Sequence, residues 1–208
     1  MDPGLNAELA RAGRVRSLRR ETLRKLIHFA TVAAPIALWY LPRGSALVLL
    51  GAAAALALLV EWARHNLRWA RYHFLRRTRR LLRHRERRRL AGATYMAIAY
   101  FAAAVLFPRP VAVGAMLFAA LGDGTAALVG LRWGRHHTRW GKSWEGFGAG
   151  IVVNCAAASM IPGISIPAAL IGGAAAAILE FVPLPFDDNL AVTIGGGAAL
   201  LLASLSFP

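Results

Sequence analysis

Acidic residues and cysteines are both scarce in this chain of 208 residues. It holds 10 Asp and Glu residues against 25 Lys and Arg, which gives a formal net charge of +15, and a single cysteine, Cys155. One cysteine excludes an internal disulfide and any metal cluster built on cysteine ligands. The few acidic residues that fall inside apolar segments are candidates for chemistry, because charge at membrane depth is costly.

A polar stretch long enough to form a soluble domain is also lacking. Hydrophobic residues make up 57% of the chain, which is more apolar surface than a soluble fold of this length can hide. The sequence therefore predicts an all-α polytopic membrane protein, a compact bundle of about seven transmembrane helices. The predicted spans are residues 25–41, 46–62, 91–107, 111–130, 146–161, 166–181 and 190–207.

The positive charges are distributed unevenly over these spans. Of the 25 Lys and Arg residues, all except Arg43 and Arg109 fall in three places. These are the region before or at the start of the first span, residues 64 to 89, and residues 132 to 142. The positive-inside rule then places the N terminus and the basic loops in the cytoplasm, with Pro208 outside. We expect a basic cytoplasmic tail (1–24) and one transmembrane catalytic domain (25–208) in a bacterial or archaeal plasma membrane.

Basic and aromatic residues are interleaved in the loop of residues 63–91. Trp69, Tyr72 and Phe74 lie among its arginines, as expected of an amphipathic helix in the headgroup region. Attraction to anionic lipids explains the charge of such a helix. The membrane accounts for both features, so we expect no nucleic-acid partner.

Asp123 is the acidic residue that the membrane map explains least. It lies between Gly122 and Gly124 in an apolar run, and no cation is within four residues of it in sequence. The glycines weaken the helix there, and a broken helix at a polar site is tolerated where it lines a cavity. Carboxylate oxygens suit Mg²⁺ or Mn²⁺, and Mg²⁺ leaves most of its positions to water and substrate phosphates.

A basic, glycine-rich loop, residues 131–146, begins about two helical turns after Asp123. Arg135 and Lys142 would supply positive charge to phosphate oxygens, Arg as a bidentate donor and Lys as a point charge. The loop is not a Walker A motif, because six residues rather than four separate Gly134 from Gly141 and a membrane span rather than a strand precedes it.

Polar residues near the ends of two other spans have a structural explanation beside the functional one. Glu21, Lys25 and His28 share one helical face. An intrahelical ion pair is the simpler explanation of Glu21 with Lys25, whereas His28 lies deeper in its span. Glu61 and Arg64 lie one turn apart, so we likewise expect them to form an intrahelical ion pair at a helix end.

A second acidic group lies toward the end of the chain. Glu180 ends the sixth predicted span in apolar surroundings without a nearby cation in sequence. Asp188 or Asn189 would cap the last helix in the structural interpretation. The predicted topology places all the acidic candidates and the loop lysine at one membrane face, as a shared site requires: Asp123, Lys142, Glu145, Glu180, Asp187 and Asp188.

Together these segments resemble the CTP-dependent membrane lipid kinases, a polyprenol kinase family that includes dolichol kinase, phytol kinase and yeast-type diacylglycerol kinase. The matching segments run in the family's order from residue 24 to about residue 197. They are residues 24–29 (RKLIHF), 92–95 (GATY), 122–130 (GDGTAALVG), 134–135 (GR) and 142–146 (KSWEG), then Glu180 and residues 188–189 (DN).

The resemblance implies transfer of the γ-phosphoryl group of CTP to the hydroxyl of a membrane-embedded lipid alcohol, such as a polyprenol, dolichol, phytol or diacylglycerol. It implies catalytic roles for Asp123, Lys142, Glu145, Glu180 and Asp188. Asp123, Glu180 and Asp188 would also bind the metal, Mg²⁺ or Mn²⁺. The nucleotide and its metal would be contacted by Lys25, His28, Gly122, Gly124, Arg135, Ser143, Gly146 and Asn189.

Two other functions fit parts of the same pattern. Cytidylyl transfer from CTP to phosphatidate would use similar metal and phosphate ligands but would release pyrophosphate. A small ion-coupled transporter would use Asp123 and Glu180 as ion sites at broken helices. Against a transporter, the polar residues gather at one membrane face, and Lys142 would have no evident task.

Overall fold

The computed structural model describes residues 21–78 and 90–207, and most of both ranges is helical. Neither range contains a strand, although His137 and Ser143 form an isolated antiparallel bridge. The predicted all-α class is confirmed for this part of the chain. Most of the basic tail (residues 1–20), part of the basic loop (residues 79–89) and Pro208 lie outside the described residues.

Within each described range most helices are joined by short connections, and the longest connection is residues 134–143. In chain order the helices are α1 (residues 21–30), α2 (Ala33–Tyr40), α3 (Arg43–Asn66), α4 (Arg68–Thr78), α5 (Gly92–Leu106), α6 (Arg109–Leu117), α7 (Gly124–Trp133), α8 (Trp144–Ser159), α9 (Ile166–Phe181), α10 (Asp188–Leu190) and α11 (Gly196–Ser206). A first π-helical segment, Phe118–Asp123, joins α6 to α7, and a second, Ala191–Gly195, joins α10 to α11.

Several of these helices are predominantly apolar. Arg43–Asn66, Arg109–Trp133 and Asp188–Ser206 are long and apolar enough to cross a membrane, and Gly92–Leu106 and Ile166–Phe181 are shorter apolar helices. Large apolar side chains face outward, among them Val48, Leu59 and Leu202. Extensive exposed apolar surface is typical of a protein surrounded by lipid. The count of seven spans and their orientation stay predictions.

The first predicted span consists of two helices. α1 ends at residue 30 and α2 begins at Ala33. Pro35 explains the break, because its ring would clash with the carbonyl group of Thr31, four residues earlier. The Thr31 N–H and hydroxyl instead donate to the His28 carbonyl oxygen, at 3.0 and 2.6 Å.

Glycines allow the helices around the core to approach closely. A Cβ at Gly173 would lie 2.7 Å from the backbone nitrogen of Cys155, and a Cβ at Gly197 would lie 2.9 Å from the Ala115 side chain. Small residues at such contacts are how helices associate in lipid. Gly173 and Gly197 therefore let neighbouring helices pack closely in this core. The fully buried Phe118 and Leu200 side chains lie in the same core.

Asp123 ends the first π segment inside a continuous helix, Arg109–Trp133. The expected helix break at this residue is therefore wrong. Gly122 and Gly124 serve close packing instead: a Cβ at Gly122 would collide with the Asn154 side chain, and one at Gly124 would lie 2.7 Å from the Phe29 ring. π segments widen a helix locally and are frequent at functional sites.

Candidate functional site

Asp123 is paired with a cation from a different helix. Lys25 Nζ in α1 lies 2.6 Å from Asp123 Oδ2, and the two side chains retain 8% and 11% of their exposure. Glu21 binds Arg24 instead, at 3.0 Å, so the predicted pair of Glu21 with Lys25 is wrong. Removing each charge from water costs about several kcal/mol, even after the protein relaxes around it. Close geometry is therefore required to hold such a pair.

His28, one turn after Lys25, contacts the same carboxylate. Its Nε2 lies 2.7 Å from the carbonyl oxygen of Ala119 and 3.1 Å from Asp123 Oδ2. A carbonyl oxygen only accepts hydrogen bonds, so Nε2 carries the proton that is donated to Ala119. α1 therefore places both of its predicted site residues against the first π segment.

Lys142 and Glu180 form a second pair between distant segments. Lys142 Nζ lies 2.9 Å from Glu180 Oε1, which joins the loop of residues 131–146 to the end of α9. The non-helical part of this predicted loop is shorter in the structure, because α7 extends to Trp133 and α8 begins at Trp144. The Lys142 side chain is 30% exposed and that of Glu180 11%, so this pair opens toward solvent. The indole N–H of Trp140 donates to the Phe181 carbonyl oxygen at 3.0 Å and holds the loop on α9.

Both pairs line one cavity of about 220 Å³, which we call the first cavity. Asp188, at the start of α10, lies on its wall as well. Small residues of α7 and α8 and two aromatic rings complete the lining, including Ala126, Ala127, Gly130, Gly146, Phe147 and Phe181. A cavity that offers both carboxylates and lysines suits a polyanion that arrives with a divalent cation.

A second cavity, of about 240 Å³, adjoins the first. Lys25, Asp123 and Asp188 line both, so the two cavities meet at this ion pair. The remaining walls of the second cavity come from α1, α4 and the segments at the starts of α5 and α10. They are formed by Arg24, Ile27, His28, Phe74, Thr78, Ala91, Gly92, Ala93, Met96, Asp187 and Asn189.

Ser143 and Gly146 shape the end of the loop at the first cavity. Ser143 is the N-cap of α8, and its Oγ accepts from the Gly146 N–H at 3.0 Å. Gly146 packs so closely against the Ala126 carbonyl oxygen that a Cβ would collide with it. These two predicted nucleotide contacts line the cavity and also hold α8 against α7.

Glu145 and Arg135 are not among the residues that line either cavity. Glu145 Oε1 lies 2.7 Å from His136 Nδ1 and accepts from the His136 N–H at 3.2 Å, so it orders the loop. Hydrogen bonds from its own backbone N–H and from the His136 side chain lower the pKa of Glu145 from 4.5 to about 2. Arg135 is exposed. The structure brings neither side chain to Asp123.

The cap of α10 is Asp187, not the predicted Asp188 or Asn189. Asp187 Oδ1 accepts from the Asn189 N–H at 3.1 Å and from the Asn189 side-chain amide at 2.9 Å. The same amide reaches the Gly92 carbonyl oxygen at 3.4 Å. Because Asp187 caps the helix, Asp188 is available on the walls of both cavities.

The carboxylates predicted to bind metal share a cavity without forming a compact centre. Within residues 21–78 and 90–207, no group of three or more His, Cys, Asp and Glu side chains is arranged to hold a metal ion. Asp123 and Glu180 each bind a lysine instead. One or two carboxylates together with phosphate oxygens are sufficient for Mg²⁺. These oxygen donors therefore fit Mg²⁺, and the metal site stays a prediction.

Two buried polar side chains carry no sequence signal beyond their polarity. Asn154 is 2% exposed and Thr193 is fully buried, and within the described ranges Asn154 Oδ1 and Thr193 Oγ1 have no hydrogen-bond partner. Asn154 packs against Gly122, next to Asp123, and Thr193 lies in the second π segment. In the sequence, the only signal for either residue is a polar side chain within an otherwise apolar segment.

Comparisons with known proteins leave the family of the chain open. No family model and no solved structure matches it. It is 28% identical over 129 residues to an uncharacterized protein of Rickettsia prowazekii (strain Madrid E). The aligned region covers 61% of this chain and 63% of that relative's length, which is less than two thirds of the relative.

Proposed function

We propose that the protein is a membrane kinase that phosphorylates the hydroxyl of a lipid alcohol. The donor would be a nucleoside triphosphate, and the resemblance to CTP-dependent lipid kinases favours CTP. One observation supports this function above the others: two lysine–carboxylate pairs, Lys25–Asp123 and Lys142–Glu180, line a single cavity together with Asp188.

Each lysine in this cavity is held beside a carboxylate and can exchange it for a phosphate oxygen. Lys142, which is partly exposed, would bind the phosphates of an incoming nucleotide first, and Lys25 would bind them deeper in the cavity. Charge-assisted hydrogen bonds of this kind are short and strong. The carboxylates so released, with Asp188, would hold Mg²⁺, which would neutralise phosphate charge during transfer.

The reaction requires one bond to form and one to break. The hydroxyl oxygen of the alcohol bonds to the γ-phosphorus, and the bond from phosphorus to the β,γ-bridging oxygen breaks with its electron pair leaving on CDP. The hydroxyl proton is released to water in the open cavity. Phosphoryl transfer depends chiefly on positioning and on neutralising charge, and the described side chains supply both.

The direct test is incubation of the purified protein in lipid nanodiscs with Mg²⁺, labelled CTP, ATP or UTP, and a panel of lipid alcohols. We expect a labelled lipid monophosphate and an equal amount of nucleoside diphosphate. Release of pyrophosphate with phosphatidate as acceptor would instead establish cytidylyl transfer. Ion flux in liposomes without nucleotide, and no phosphorylated product, would establish a transporter. Either result would overturn the proposal.

Lys142 and Arg135 offer a matched pair of cations in one loop. Lys142 lines the first cavity and Arg135 does not. A lost charge-assisted hydrogen bond is worth about 1.5–3 kcal/mol, so Lys142→Ala should raise the KM for the nucleotide by roughly 10- to 100-fold. Arg135→Ala should change it by less than about 3-fold, as exposed charges contribute little. Equal losses in the two variants would place the nucleotide outside the cavity.

A further inference from the structure

The two cavities that meet at Asp123 differ in the chemistry of their walls. The first contains the Lys142–Glu180 pair and the loop of residues 131–146. The second cavity is lined by the apolar side chains Ile27, Phe74 and Met96 as well as by polar ones, and the three residues that it shares with the first cavity, Lys25, Asp123 and Asp188, are all charged. A molecule with one hydroxyl on an apolar chain matches that distribution.

Helix α4 lines the second cavity and has the composition of a helix at the membrane interface. Phe74 of α4 lies on the cavity wall, and Trp69 and Tyr72 of the same helix are exposed. Exposed Trp and Tyr residues among arginines are typical of helices at the membrane interface. This composition favours entry to the second cavity from the bilayer, and the partial exposure of Lys142 favours entry to the first cavity from water.

The wall that α4 contributes is anchored to α3. The Arg64 guanidinium lies 5.3 Å from the centre of the Phe74 ring, and Glu61 holds Arg64 through a buried ion pair. Glu61 also accepts hydrogen bonds from the Ala91 N–H and the Thr94 hydroxyl at the start of α5. This cluster fixes the α4 and α5 sides of the cavity relative to each other.

We infer that the second cavity is the acceptor site, a conclusion that rests on the kinase function proposed above. The hydroxyl of the lipid alcohol lies at the junction of the cavities, where carboxylate oxygens of Asp123 and Asp188 accept its hydrogen bond. The first carbons of its chain lie along Ile27, Phe74 and Met96. Those three side chains then determine which substituents near the hydroxyl the enzyme accepts.

Ala93 and Ala127 allow a matched test, because replacing either alanine by phenylalanine adds the same bulk to the wall of one cavity. Ala93, near the start of α5, lines the second cavity, and Ala127, in α7, lines the first. Steric exclusion from a pocket changes specificity by roughly 10- to 200-fold for small groups. Ala93→Phe should therefore raise the KM for the alcohol at least about tenfold and leave the KM for the nucleotide within about twofold. Ala127→Phe should do the reverse.

These measurements separate failure of the inference from failure of the proposed function. An inactive wild-type protein with every alcohol and nucleotide would overturn the proposed function. An active wild type in which Ala93→Phe raises only the KM for the nucleotide would overturn the acceptor site and leave the kinase function standing. Nucleotide binding by Ala93→Phe, measured by calorimetry, shows that the variant is folded, and Ala93→Leu replaces it if it is not.

Photo-crosslinking locates the acceptor without relying on turnover. A farnesol analogue that carries a diazirine close to its hydroxyl should label peptides from α1, α4 and α5, and Met96→Trp should reduce that labelling at least about fivefold by filling the cavity. Peptide mapping by mass spectrometry reads the sites. Labelling confined to the loop of residues 131–146, and unchanged by Met96→Trp, would overturn the assignment.

Discussion

Glu61 and Asp123 are both buried carboxylates bound to a cation, yet their surroundings differ. Glu61 binds Arg64, three residues later in the same helix, and accepts two further hydrogen bonds from Ala91 and Thr94. Asp123 binds Lys25 from a distant helix, and both Lys25 and His28 contact its Oδ2.

The difference indicates which carboxylate is available for a ligand. Both oxygens of Glu61 are occupied by donors from α3 and α5, and Glu61 lines neither cavity. The contacts of Asp123 fall on one oxygen, and this residue lies where the two cavities meet. Burial and an ion pair are common to both residues, so only the position of Asp123 on the walls of both cavities indicates function.

Neutralising each carboxylate tests this contrast and carries the largest expected effect. Asp123→Asn removes the negative charge at the junction of the cavities and should lower kcat/KM by at least about 100-fold, the scale of losing one group that acts on the transition state. Glu61→Gln keeps a side-chain oxygen for the Ala91 N–H and the Thr94 hydroxyl, so the walls of the second cavity stay in place and kcat/KM should fall by less than about tenfold. Steady-state phosphorylation of a lipid alcohol measures both.

Folding is the control for that comparison. Both variants should elute as single species in size-exclusion chromatography and should unfold cooperatively on heating. Wild-type activity in purified Asp123→Asn would remove Asp123 from the site. A loss in Glu61→Gln as large as that in Asp123→Asn would show that the two carboxylates share a role.

Replacing each whole ion pair by apolar residues extends the comparison to stability. Lys25→Met with Asp123→Leu should leave the free energy of unfolding unchanged or raise it, because a well-packed apolar pair often replaces a buried ion pair without loss. Glu61→Leu with Arg64→Leu should lower it by about 1–3 kcal/mol, because the Ala91 N–H and the Thr94 hydroxyl lose their acceptor. Unfolding in mixed micelles with increasing SDS measures both double variants.

The unfolding free energies of the two double variants can contradict the proposed contrast between Asp123 and Glu61. A loss in the Lys25 and Asp123 double variant equal to that in the other would mean that Asp123 also acts as a clamp between helices. The same double variant should be catalytically inactive whatever its stability. The Lys25 and Asp123 double variant is therefore expected to lose activity without losing stability. The Glu61 and Arg64 double variant is expected to lose stability and only part of its activity.

The difference between these carboxylates also marks how far the sequence predicts the site. The Glu61–Arg64 pair follows from helical spacing, because residues three apart lie side by side. The partner of Asp123 does not, since 98 residues separate it from Lys25 and only the packing of α1 on the first π segment brings them together. Local spacing instead favoured Glu21 as the partner of Lys25, which is wrong.

Loop conformation limits prediction in a second way. Arg135 and Lys142 are both positively charged at neutral pH, and sequence alone gives no reason to prefer one. The loop turns at Gly141, whose φ of +88° is accessible mainly to glycine, and Lys142 then faces Glu180 while Arg135 stays exposed. By contrast, the break between α1 and α2 follows from a local rule about Pro35, and the glycine packing follows from composition.

The loop itself supplies the smallest expected effect and a contrast with both buried carboxylates. Hydrogen bonds that only the folded loop provides lower the pKa of Glu145 from its ordinary 4.5 to about 2. A lowered pKa in the folded state stabilises the protein above pH 4.5, and this contribution is lost as the pH falls toward 2. Because the Glu145 side chain is partly exposed at the surface, at 28%, Glu145→Gln should lower the thermal midpoint at neutral pH by no more than about 2 °C. The difference between wild type and variant should shrink between pH 4.5 and 2, as measured by differential scanning fluorimetry. A difference that stays constant across this range would mean that Glu145 holds the loop by shape and not by charge.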